Sequence, residues 1–172
     1  AVDPIVQGYS AKEFYLRNPY KGSGKGYAAD GVNGGPVDGM IRTESDMEWL
    51  KSMIDAGYTF MPNKTVGKDK IWYGDYVYAD ANGDGIYGGS DDKEFQGFSK
   101  DPRYNFGLQF SAMWKGFDFS MNWYASVGND IINATKIYSY QKKTSKDLIY
   151  MWTPTNNTST IPSYRNEQHN NY

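Results

Sequence analysis

The sequence contains no cysteine and one histidine. Without cysteine there are neither disulfides nor thiolate metal sites to stabilise the chain. His169 stands alone in the polar run Asn166 to Asn171, which removes the residues that a Ser/His/Asp or Cys/His nucleophilic site and a His-rich zinc site require. No enzymatic activity is therefore expected. No run of 18 apolar residues exists, so no transmembrane helix is expected. Eighteen Lys and Arg against 20 Asp and Glu give a formal net charge of −2, and phosphate binding by a nucleic-acid partner needs clustered basic charge that this balance does not supply. The start, Ala1-Val2-Asp3-Pro4, has neither the basic n-region nor the apolar h-region of a signal peptide.

Aromatic residues make up 17% of the chain, yet its mean hydropathy is only −0.73. Large rings diluted by polar residues suit a barrel wall, where alternate residues are apolar and long loops are polar; they also suit a sugar-binding surface. The stretch from Tyr104 to Ala125 decides how the rest is read. Tyr104, Phe106, Leu108, Phe110, Ala112 and Trp114 alternate with Asn105, Gly107, Gln109 and Ser111, with Met113 the exception, so a strand puts the two sets on opposite faces. After Lys115-Gly116, Phe117, Phe119, Met121, Trp123 and Ala125 alternate with Asp118, Ser120 and Asn122. Two residues including Gly between alternating arms predict a tight hairpin. An arm from Tyr104 to Trp114, at roughly 3.3 Å per residue and a tilt near 45°, rises about 25 Å, the height of the apolar band of an outer-membrane barrel. A long hairpin in a soluble sandwich has the same pattern.

Before the hairpin, Ile5 to Leu16 reads as one or two short strands and Asn18 to Gly39 as a Gly-rich loop. A helix is predicted over 46–56, with Ser45 and Glu48 as a capping box, Gly57 as the left-handed stop, and Met47, Leu50, Met53 and Ile54 on one face. Tyr58 to Lys70 reads as irregular, and Ile71 to Ala79 is rich in strand formers. The sharpest local chemistry lies over 80–91. Asp80, Asn82 and Asp84 hold positions 1, 3 and 5 of a calcium loop, Gly85 the tight turn, Ile86 the carbonyl position and Asp91 the closing carboxylate. Hard oxygen donors at this spacing suit calcium. The same residues make an Asx/Gly turn without metal.

Several short motifs occur in order: Gly74-Asp75, Tyr78-Ala79-Asp80-Ala81-Asn82-Gly83-Asp84-Gly85, Asp101-Pro102-Arg103-Tyr104-Asn105-Phe106-Gly107-Leu108, Lys115-Gly116-Phe117-Asp118, Gly128-Asn129-Asp130-Ile131-Ile132-Asn133 and Trp152-Thr153-Pro154. In order and spacing they resemble the late barrel region of SusC/RagA-type TonB-dependent outer-membrane transporters. Thr155 stands where that family often has an acidic residue. The resemblance implies an all-β chain that is part of a transmembrane antiparallel barrel of about 22 strands, with long extracellular loops and one short surface helix. It implies a strand segment over 1–17, an extracellular loop region over 18–103, the membrane-spanning hairpin over 104–125 and a second extracellular loop region over 126–172, all within one barrel domain. It further implies the outer membrane of a Gram-negative bacterium and import of oligosaccharide or peptide. The partners would be a SusD-like surface lipoprotein, outer-membrane lipid, and TonB acting through a plug outside this sequence. The alternative is a soluble, calcium-stabilised β-rich carbohydrate-binding module.

Overall fold

Alternation and turn chemistry produce the longest elements. In the computed structural model, which describes residues 6–22 and 34–164, β5 (Tyr104–Trp114) and β6 (Phe117–Val127) pair antiparallel from Tyr104↔Val127 to Trp114↔Phe117. Phe106, Leu108, Phe110 and Ala112 lie opposite Ala125, Trp123, Met121 and Phe119, while Gln109 faces Asn122 and Ser111 faces Ser120. Lys115 and Gly116 both take positive φ, 47° and 83°, as the two central residues of a type I′ turn must. The second arm runs two residues beyond the predicted Ala125, because Asn105↔Ser126 and Tyr104↔Val127 complete the ladder. On the polar face Asn105 Oδ1 accepts hydrogen bonds from Tyr124 Oη (2.9 Å) and Ser126 Oγ (2.6 Å). Both faces of the hairpin are open: all its residues but Met121 are exposed, and among the described strands β5 and β6 pair with nothing but each other.

The chain divides into two units, Ala1–Tyr15 with Phe95–Ile132, and Leu16–Glu94 with Asn133–Tyr172. The hairpin dominates the first. Around its base, Asp130 N donates to Ser99 O, Arg103 Nη2 to Gly97 O, and Lys12 pairs with Asp101 at 2.9 Å. Tyr9 stacks on Phe95 with ring centroids 4.1 Å apart. The strands expected between Ile5 and Leu16 reduce to β1 (Glu13–Arg17), paired with β4 (Lys93–Ser99) in a separate two-stranded sheet; Ile5 lies outside the described residues. The chain over 93–99 was expected to be loop, and is a strand.

The second unit carries its own core, built on α1 (Glu44–Asp55). Met47, Leu50 and Met53, one helical face as predicted, pack with Tyr20, Ile41, Phe60, Ile71, Val77 and Tyr87. The helix starts two residues earlier than the sequence suggested. Thr43, in extended backbone, accepts from Asp46 N, and the Asp46 carboxylate reaches back to Thr43 N (2.8 Å) and Arg42 N (3.0 Å). That capping box displaces the predicted pair Ser45 and Glu48. Gly57 follows with φ 99° and donates to Ile54 O, the left-handed stop expected of it. A short parallel pair, β2 (Thr59–Phe60) with β3 (Ile86–Tyr87), follows the helix.

Ile71 to Ala79 forms isolated bridges instead of a strand. Its backbone groups are shared between two neighbours: Gly74 and Val77 donate to Ile41 O and Gly39 O, whereas Val77 O and Asn18 O accept from Tyr20 and Ala79. Two further helical segments appear where one surface helix was expected in all. They are α2 (Ala134–Gln141), capped by Asn133 Oδ1 accepting from Lys136 N, and a 3₁₀ turn over Lys146–Tyr150.

Candidate functional site

The Asp80 to Asp92 loop is organised by two buried carboxylates. Asp80 Oδ1 accepts from Gly83 N (2.7 Å) and Asp84 N (3.2 Å), and its Oδ2 accepts from Gly85 N at 2.8 Å. Asp92 Oδ1 accepts from Ala81 N (2.9 Å) and Oδ2 from Gly89 N (2.6 Å). Asn82 Oδ1 and Asp84 Oδ1 continue the series by accepting from Asp84 N and Ile86 N. The loop is thus a succession of side-chain oxygens satisfying the backbone N–H groups of tight turns.

Of the residues assigned to calcium, Asp80, Asn82 and Asp84 share this network, and Ile86 starts β3. Asp91 is exposed and accepts from Ser90 Oγ (3.1 Å); it is Asp92, one residue later, that turns inward to close the loop. Among the described residues no three acidic or histidine side chains are grouped so that they could hold a metal ion. Burial pushes the Asp92 carboxyl above its ordinary value, and the Asp80 charge adds to the rise, against the lowering effect of the backbone N–H groups it accepts from.

A second convergence joins motifs that are far apart in sequence. Gly74, at φ 83°, leaves room where a Cβ would lie 2.6 Å from the Trp152 ring and 2.7 Å from Ser163 Cβ. Gly74 O accepts from Ser163 N at 2.8 Å, and Ser163 Oγ lies 3.3 Å from Asp75 Oδ1. Asp75, fully buried, also accepts from Trp72 N (2.9 Å). Arg42 holds the same loop from another side. Its Nη1 donates to Asn157 O and Ser159 O, both at 2.6 Å, and its Nη2 to Asp38 Oδ2 at 2.7 Å. Burial pushes the Asp38 carboxyl up, but hydrogen bonds from Arg42 and Met40 N, with the Arg42 charge, hold it below its ordinary value. Sequence reasoning missed Arg42, Ser163 and Asp92; the ordered pair of motifs, Gly74-Asp75 and Trp152-Thr153-Pro154, was the available signal for the first two.

The TonB-dependent receptor P3 of Formosa agariphila is 29% identical over 91 residues, which cover 52% of this chain. The chain resembles a TonB-dependent receptor. The matched part spans 9% of that receptor's length, and no family model and no solved structure matches the chain. The likeness supports the TonB-dependent family in general, with the outer-membrane setting and TonB-type partner that go with it. The described strands fit a partial β fragment of such a receptor, and they do not close into a barrel.

Proposed function

We propose that the chain is part of the wall and outward loops of a SusC/RagA-type importer, driven by TonB, that takes up oligosaccharides or peptides with a SusD-like lipoprotein at the cell surface. The observation that carries this reading is the hairpin. Two arms of 11 residues each match the apolar height of an outer-membrane barrel, one face is continuously apolar, the other is polar, and both outer edges are free for neighbouring strands. A soluble module would cover the apolar face with a second sheet, and among the described residues nothing does so. In this reading the apolar face meets lipid, the Asn, Gln and Ser face meets a wet lumen, and Lys115-Gly116 is a short periplasmic turn. The Asp80 loop and the Trp152 loop then project outward, where loops on a rigid scaffold carry binding. No reaction is assigned to the chain.

The lack of cysteine in this sequence makes the topology directly testable. In the full-length importer, Ser90→Cys should react with a membrane-impermeant maleimide on intact cells, and Lys115→Cys should react only after the outer membrane is opened. Labelling of Lys115→Cys on intact cells, or protection of Ser90→Cys, would overturn the assignment.

A further inference from the structure

The unit that contains α1 holds a cavity of about 520 Å³, within the size range of small-ligand sites. Its wall is mainly ring and aliphatic carbon, contributed by Trp72, Tyr73, Trp152 and Tyr164, with Arg42 and Ser163 among the polar residues. The rings are set at fixed angles. Trp72 meets Tyr73 edge to face at 5.3 Å and 85°, and Tyr73 lies nearly parallel to Trp152 at 6.4 Å and 11°.

The polar groups of the wall are mostly committed already. Ser163 Oγ is bonded to Tyr73 O and Asp75. Arg42 directs Nη1 to two carbonyls and Nε and Nη2 to Asp38, which leaves one of the five guanidinium N–H donors unused. Trp152 is the exception. It is 6% exposed, and its indole Nε1 is buried without a hydrogen-bond partner. A buried unpaired N–H is costly, and native structures rarely keep one without a reason.

We propose that this cavity is a binding site for a single aryl ring bearing an oxygen acceptor at its edge, the acceptor taking the Trp152 indole N–H. Aromatic walls at right angles give an incoming ring both face and edge partners. A sugar ring fits this wall poorly, because burying it requires partners for several hydroxyls, and the side chains that could serve are bonded within the protein. The inference stands on the cavity alone and holds whether or not the chain is part of an importer.

The test is saturation-transfer NMR on the full chain in detergent, with phenylacetate, cyclohexylacetate and methyl β-glucoside as separate probes. Phenylacetate should receive saturation and bind roughly tenfold tighter than the other two. Trp152→Phe keeps a ring and removes the N–H; it should weaken phenylacetate by roughly fivefold, in line with one hydrogen bond. Trp123→Phe, on the hairpin, should leave binding unchanged. Without any substitution, the Trp152 indole N–H resonance should move as phenylacetate is added. An absence of saturation transfer to phenylacetate, a preference for the glucoside or the saturated ring, wild-type binding by a folded Trp152→Phe, or a stationary indole resonance would each overturn the proposal.

Discussion

Arginine placed along β5 should cost an amount that depends on depth and on face. The strand runs from Tyr104 to Trp114, so Gln109 is its midpoint and Leu108 and Phe110 are the apolar-face residues beside it. At roughly 3.3 Å per residue and a tilt near 45°, each step changes depth by about 2.3 Å, which puts Phe110 about 2 to 3 Å from the bilayer midplane and Trp114 about 12 Å away, at the interface. Phe110→Arg should therefore cost about 2 to 4 kcal/mol, and Trp114→Arg about 0 to 1 kcal/mol. Gln109→Arg turns toward the lumen and should be mild, although it lies deepest. In water, with every residue of β5 exposed, the three changes would differ little, because substitutions at exposed positions stay within about 0.5 kcal/mol. The assay is reversible denaturant unfolding of the full-length importer in lipid vesicles, followed by tryptophan fluorescence. A flat profile along the apolar face, or equal costs at Gln109 and Phe110, would refute the membrane-spanning assignment.

Three further outcomes follow from the second unit. Asp80→Asn turns an amide NH₂ toward at least one of the N–H groups of Gly83, Asp84 and Gly85 that the carboxylate now accepts from, and should cost about 2 to 4 kcal/mol in urea melts. The loss should be the same in EDTA and in calcium; a loss that appears only with calcium would make the carboxylate a metal ligand. Gly74→Ala combines a positive φ with a Cβ inside contact distance of Trp152 and Ser163, and should cost about 2 to 5 kcal/mol, whereas Gly57→Ala, with open space at the same kind of φ, should cost about 1 to 2 kcal/mol. Thermal melts that rank the two equally would show that the close approach is unimportant. Because Asp38 is held below its ordinary value of 3.8, its ionised form stabilises the fold fully above that value, and the contribution is lost as pH falls through the lower folded value. The melting difference between wild type and Asp38→Asn should thus be widest near neutrality and close in acid; a difference that grows as pH falls would contradict the Arg42 pairing.

The hairpin was legible because a period of two and a Lys-Gly turn leave little choice of register. The buried face of α1 was legible for the same kind of reason, but its start was not. Ser45/Glu48 and Thr43/Asp46 are both plausible caps by spacing, and Thr43 prevails because Asp46 also satisfies Arg42 N. In β4, Gly97 at φ 73° interrupts the alternation of Lys93 to Ser99, and the partner strand β1 lies some 80 residues earlier, beyond the reach of local pattern. Ile71 to Ala79 has strand composition, yet its hydrogen bonds are divided between two neighbours and no ladder extends. For the candidate site, spacing found the turn chemistry of Asp80, Asn82 and Asp84. It placed the closing carboxylate at Asp91 instead of Asp92, because adjacent aspartates differ only in which one the fold buries. The Trp152 cavity draws on residues 42, 72–73 and 151–164, and no local window contains it.

The free edges of β5 and β6 bear on how such a chain reaches its destination. Each edge presents a row of unsatisfied backbone groups beside a continuous apolar stripe, the arrangement on which another unfolded copy can add a strand. In an aqueous compartment the hairpin is therefore a template for misassembly, and its closing contacts are local while those that would cap its edges are not. Successful assembly becomes a race in which docking against neighbouring strands, or shielding by a holding chaperone, must outpace collision between copies, so yield should fall steeply as the concentration of unassembled chain rises.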